Sequence, residues 1–148
     1  MTEKLYKFLE NGRSCHGGNY VWSLPSKTDD GTWIPGEWTE PIEGKLKLCE
    51  NGFHLARACD VLEWLRDEMY EAEIDDSAIV EDIDKIVVRR CRLVRRVETC
   101  NARTLRLFAV WCAREALKLV AADPRSIEAC DVAERYANGE ATNEELDA

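Results

Sequence analysis

Residues 85–98 read KIVVRRCRLVRRVE. Ile86, Val87, Val88, Val94 and Val97 are β-branched, and such side chains suit a pleated, half-buried surface better than a helix. The stretch is expected to be the strongest strand of the chain. It carries five arginines, Arg89, Arg90, Arg92, Arg95 and Arg96. On one regular strand, 90, 92 and 96 would share a face and 89 and 95 the other. Arginine on both faces predicts partial exposure, so the sheet that holds this strand is expected to be antiparallel and open to solvent on one side.

Upstream, the same alternation recurs in short pieces. Residues 4–9 (KLYKFL) read as a first strand, closed by Asn11-Gly12, a pair that tolerates φ > 0 and so marks a tight turn. Residues 19–24 (NYVWSL) read as a second strand stopped by Pro25. Residues 25–44 form a long connection that carries Gly31, Pro35, Gly36 and Pro41. It carries Trp33 and Trp38, whose large rings predict packing back over the sheet. Residues 45–49 and 53–56 are expected to make a hairpin around Glu50-Asn51-Gly52. Val61, Leu62, Trp64, Leu65 and Met69 recur at helical spacing and predict a helix over about 59–69, with Asp60 in its first turn. Residues 70–74 alternate as a strand, 75–77 read as a turn and 81–84 as an acidic loop.

Downstream of Thr99 the pattern becomes helical. Asn101 is a cap, and Leu105, Phe108, Ala109, Cys112, Ala116 and Val120 recur as one apolar stripe. Asp123-Pro124 restarts a helix, with proline at the first position, where its missing N–H costs nothing. Its stripe is Ile127, Cys130, Ala133 and Ala137, ended by Asn138-Gly139. Thr142 and Glu145 make a capping box for a last short helix. The chain stops soon afterwards, as a piece of something longer would. The expected fold class is α+β: an antiparallel sheet with one packed helix over residues 1–99, then a helical hairpin and short last helix over residues 100–148, packed on the sheet.

The chain has 148 residues, a net charge of −9 and seven cysteines. Such negative charge repels bare nucleic acid and anionic membranes and suits a basic partner surface. The odd cysteine count does not suit a secreted disulfide framework, residues 1–5 lack a signal-peptide apolar core, and no run is long enough to span a bilayer. A cytoplasmic protein with a protein partner, without direct nucleic-acid contact or cofactor, is the expectation. A second copy of the chain is a further possible partner for the helices.

The chain resembles a family of uncharacterised actinobacterial and phage domains. The residues that carry the resemblance are Leu5-Tyr6-Lys7-Phe8-Leu9, Gly17-Gly18 with Trp22 and Pro25, Pro35-Gly36-Glu37-Trp38, Leu48-Cys49-Glu50-Asn51-Gly52-Phe53-His54-Leu55, and Leu62-Glu63-Trp64-Leu65. The arginine strand and Thr104-Leu105-Arg106-Leu107-Phe108-Ala109 complete it. The tail, from Ala133-Glu134-Arg135-Tyr136-Ala137-Asn138-Gly139-Glu140-Ala141-Thr142 to Glu144-Glu145-Leu146, resembles a helical module of many bacterial proteins. The resemblance implies no established activity. Its phage context, with the charge and the lack of a clean catalytic set, points to a non-enzymatic accessory protein that acts by protein–protein contact, for instance as an inhibitor of a host factor.

Several constellations are candidates for chemistry. Gly52-Phe53-His54-Leu55 loosely resembles a core strand of ADP-ribosyltransferase-like folds. That alternative is a small NAD-binding enzyme with Tyr6 as the aromatic, His54 near the ribose and Glu73 as the carboxylate, beside the loop Arg13-Ser14-Cys15-His16. The bland reading makes His54 a hydrogen-bonded sheet residue. Cys15, His16, Cys49, His54 and Cys59 are zinc-type ligands, but without Cys-x-x-Cys spacing no metal is expected, and half-buried thiols are the alternative. Arg90, Arg92 and Arg96 form a candidate anion-binding face. Residues 63–84 hold ten acids against one base, Arg66, so ion pairing of the arginines with that segment competes with any ligand. The acidic segment is also a candidate ridge that copies nucleic-acid charge. Trp33 and Trp38 complete the candidate binding surface.

Overall fold

The computed structural model describes residues 3–75, 79–121 and 123–147. The chain divides into two units, Met1–Glu98 and Thr99–Ala148. The first begins with β1, Leu5–Glu10, and turns back through Asn11-Gly12 into β2, Arg13–Ser14. Both turn residues have positive φ, +51° and +70°, which matches the right-handed strand twist of a two-residue hairpin. β3 (Ser26–Lys27) and β4 (Trp33–Ile34) form a small separate ribbon. β5 is Phe53–Arg57, β6 Glu68–Ile74, β7 Ile79–Glu81, β8 Ile86–Val88 and β9 Cys91–Arg96. All pairings are antiparallel, in the order β7-β8-β5-β1-β6-β9, with β2 on β1.

This order curls the sheet. β8 and β9 stand four strand spacings apart along it, roughly 19 Å in a flat sheet. Yet only Arg89 and Arg90 join Val88 to Cys91, three peptide steps that reach at most about 11 Å. The ends of the sheet must therefore roll toward each other. The core fills the concave side: Leu5, Leu9, Trp22, Phe53, Leu55, Tyr70, Ile86, Val88, Cys91 and Leu93.

The decisive stretch is thus two strands rather than one. The β-branched pattern runs through the break, but β8 pairs with β5 and β7 while β9 pairs with β6. A bulge in the β6–β9 ladder then leaves Val94 without a partner. As a result Arg92 and Arg95 face the same side and pair with Glu73 (2.7 Å) and Glu71 (2.5 Å). The strict-alternation assignment of the arginines is corrected accordingly.

The long connection lies along the free edge of β9. Gly36, Thr39 and Ile42 donate backbone N–H to Leu93, Cys91 and Arg89, each at 2.9 Å. This covers an edge that would otherwise invite further pairing. Three other expectations change. Residues 19–24 form no strand beyond one bridge, Arg13 to Val21, and 45–49 contribute only the bridge Lys47 to Asn51. The helix expected over 59–69 is instead a 3-10 helix, Ala58–Glu63, and the last residues of the expected span, from Glu68, belong to β6. β7 (Ile79–Glu81) was not among the expected strands and takes in Glu81 of the expected acidic loop, and residues 76 and 77 of the expected turn lie outside the described residues.

The second unit holds α1 (Ala102–Leu117), α2 (Pro124–Ala137) and α3 (Asn143–Leu146). All three caps match the sequence: Asn101 with Thr104, Asp123 before Pro124, and Thr142 with Glu145. α1 and α2 meet through Val110, Cys130 and an Arg114 bridge to Asp131 (2.8 Å) and Glu134 (2.7 Å). The expected α1 stripe is not what joins them, since Phe108, Ala109, Cys112 and Ala116 are all exposed. The fold class is α+β.

Candidate functional site

The site starts from an interruption. β6 occupies one edge of β1 from Leu5 to Leu9. On the opposite edge Leu5 and Tyr6 pair with β5, and Leu9 and Glu10 pair with β2. Lys7 and Phe8, between them, pair with neither. β5 is likewise paired to β1 only through Ala56 and Arg57, so its Phe53–Leu55 edge toward β1 is open. The two strands splay, and a cleft of about 430 Å³ opens there.

Aromatic rings line it. Tyr6, Tyr20, Phe53 and Trp64 all contribute. Tyr20, Trp22 and Phe53 contact one another edge to face at centroid distances of 5.2–5.4 Å. Trp64 is fixed by an Nε1–H bond to the Asp84 carbonyl at 2.9 Å and by the Lys85 ammonium 5.2 Å above its ring. Its edge contact with His16 spans 5.1 Å, and His16 Nε2–H donates to the Trp64 carbonyl at 3.3 Å. Burial lowers the pKa of His16. Gly17 and Gly18 line the cleft beside them.

His54 lines the cleft but is committed to the backbone. Its Nε2 accepts from the Cys49 N–H at 2.8 Å, and the ring also bonds the Gly52 backbone. Burial first, then the nearby Lys7 and Lys85 charges, lower its pKa and keep it neutral. It therefore clamps the turn before β5. Gly52 in that turn has φ +139°, and a Cβ there would lie 2.3 Å from Val87 Cγ1. Only glycine fits.

Lys7 is the residue that the sequence reading missed. It shares the inward face of β1 with Leu5 and Leu9. Its ammonium donates to the His54 carbonyl at 3.0 Å, across the gap, and stands 5.3 Å from the Trp22 ring centre. Burial lowers its pKa. A lysine at the third position of an alternating Leu-x-Lys-x-Leu was the available signal.

The other candidates are placed as follows. Tyr6 is in the cleft; Glu73 is not, and pairs with Arg92. Among the described lining residues the one carboxylate is Glu50, held by Lys47 at 2.5 Å. Cys15 contacts the Phe8 carbonyl at 3.9 Å, and Cys49 offers its backbone rather than its thiol to His54. Among the described residues no three His, Cys, Asp or Glu gather as a ligand set. Arg90 donates to the Thr39 carbonyl at 3.0 Å, Arg96 to the Asp67 carbonyl at 3.4 Å, and Trp38 packs under Arg90 and Arg92 at 5.4 and 4.8 Å. Trp33 lies under Lys27 at 5.3 Å. Arg90 with Thr39, and Trp38 with Arg90 and Arg92, tie the long connection to the β9 side, and none of these residues lines the cleft. No helix among the described residues is long and apolar enough to cross a membrane. Compared with protein-family models, curated proteins and solved structures, the chain matches none.

Proposed function

We propose that this chain is a small-molecule-binding protein whose β1–β5 cleft takes a flat-ringed, nucleotide-type ligand, with NAD as the first to test. One observation carries the reading: the ladder between two central strands is broken, and a preformed aromatic cleft stands in the break. Preformed, mostly apolar clefts with a few polar groups are the usual form of small-molecule sites. Tyr6, Tyr20, Phe53 and Trp64 would stack on or edge a ring, while Lys7 and the open strand edges would supply polar contacts. Glycosyl transfer from NAD needs a carboxylate or equivalent at the reacting carbon. The lining carboxylate Glu50 sits in an ion pair, and the nitrogens of His54 are taken, so the reading favours binding over group transfer.

The test is titration of the protein with NAD, AMP and ADP-ribose, followed by tryptophan fluorescence, together with incubation in labelled NAD. Saturable quenching that Trp64→Phe reduces, without label transfer, is the expected result. Transfer of label would overturn the non-enzymatic part, and no binding of any of the three would overturn the whole.

A second reading, an accessory protein of phage type that contacts a basic protein, is favoured by the pairing of the arginines. All five on the decisive stretch are engaged within their own unit. The net charge of −9 is thus carried by a surface with few unsatisfied cations on that face. Capture of a basic partner at low salt and its release at high salt is the expected behaviour. Capture that salt does not affect counts against it.

A further inference from the structure

We propose that Lys7 is a carbonyl-capturing amine, and that the cleft takes a flat-ringed aldehyde by forming an imine on its Nζ. The inference rests on the cleft admitting a small ligand, as argued above, but not on that ligand being a nucleotide.

The geometry has three parts. The first is position: Lys7 is on the inward face of a central strand, where leucines flank it, and it borders the cleft at the point where the ladder is missing. The second is the lack of a counter-ion. Among the described residues no carboxylate lies within ion-pair distance of its ammonium, and its one hydrogen bond goes to a neutral carbonyl, that of His54. The third is what faces it. These groups are the Cys91 thiol from β9, Cys15 and His16 from the loop after β2, His54 from β5 and Tyr70, directly opposite on β6. Burial pushes the Cys91 thiol up to about 12 and raises Cys15 and Tyr70, so all three are neutral near pH 7. The two imidazoles are held neutral by burial. The Trp22 face favours the ammonium, but a ring at 5.3 Å does not replace a lost hydration shell.

A lysine in such surroundings spends more of its time as the free amine than a solvated one, and the free amine is the nucleophile. The step is balanced without any other reagent. The Nζ lone pair adds to the aldehyde carbon, the carbonyl oxygen takes up the two protons that the amine nitrogen gives up and leaves as water, and a C=N bond replaces C=O. Tyr6, Tyr20 and Phe53 would hold the ring of the aldehyde in place.

The experiment treats the intact chain with pyridoxal 5′-phosphate near pH 7, reduces with borohydride and maps the added mass by peptide mass spectrometry. A larger free-amine fraction means faster imine formation. Labelling at Lys7 is therefore expected to exceed that at the solvent-exposed Lys4 and Lys118. Equal labelling of the exposed lysines, or no label on Lys7, would overturn the proposal. No variant is required, and Lys7→Arg, which keeps the cation and its donor, is expected to abolish the selective label. Label on Lys7 without NAD binding leaves the amine standing and removes the nucleotide; NAD binding with Lys7 unlabelled does the reverse.

Discussion

Gly52 and His54 belong to one turn, which His54 closes by accepting the Cys49 N–H. At Gly52, φ of +139° and a Cβ position 2.3 Å from Val87 leave no room for a side chain. Gly52→Ala is expected to lower stability by at least about 1–3 kcal/mol, read as a lower denaturation midpoint at unchanged slope. His54 stabilises the same turn only while neutral, because its Nε2 must accept the Cys49 N–H. Its folded pKa is lowered by burial, so the unfolded state binds protons more readily. The stabilisation is present above the unfolded value of about 6.5 and is lost as pH falls below it. His16 is lowered as well and adds in the same direction. Denaturation midpoints should therefore drop on acidification from neutral pH toward pH 5, and His54→Ala should lessen the drop. The role of His54 was legible as a hydrogen-bonded sheet residue. That both its nitrogens serve one turn was not, because the partners are backbone groups and leave no mark in composition.

Among the elements, the edge of β9 and its covering connection are the clearest case of one segment stabilising another. Thr39 is the one buried polar side chain among the described residues, at 5% exposure. Its hydroxyl accepts the Cys91 N–H at 3.1 Å while its own N–H goes to the Cys91 carbonyl. Thr39→Val keeps the shape but strands a buried donor, a loss of about 1–3 kcal/mol in unfolding experiments, whereas Thr39→Ser should keep most of the stability. The Asn11-Gly12 turn and every helix cap were legible here, since each depends on a local conformational preference, whereas residues 19–24 and 45–49 read as strands and form only single bridges. The break at Arg89-Arg90 was not, because β-branched residues flank it on both sides and only the choice of distant partners bends the chain there. The helix over 59–69 failed for the opposite reason. Apolar spacing suited a helix, but Trp64 is held by the Asp84 carbonyl and β6 begins too soon.

At the scale of the whole first unit, the curl of the sheet decides what is inside. Cys91 has no exposed surface and a thiol pushed up to about 12. A thiol reagent is expected to reach exposed Cys49 and Cys59 at once, and Cys91 only as the sheet unfolds, so its labelling rate reports global opening. The cleft belongs to this scale too. Tyr6, His16 and His54 were legible as a group, from a loop and two strands of suggestive chemistry. Lys7 and the broken ladder were not, since which strands part company is fixed by the roll of the sheet and by β2 folding back on β1.

The gap at Lys7 and Phe8 is two residues wide, bounded by β2 at one end and β5 at the other. An added polypeptide needs a run of free backbone to dock alongside, and this window is too narrow to grant one. Central placement thus gives this unit an opening that offers an incoming strand at most two residues of β1 backbone to grip.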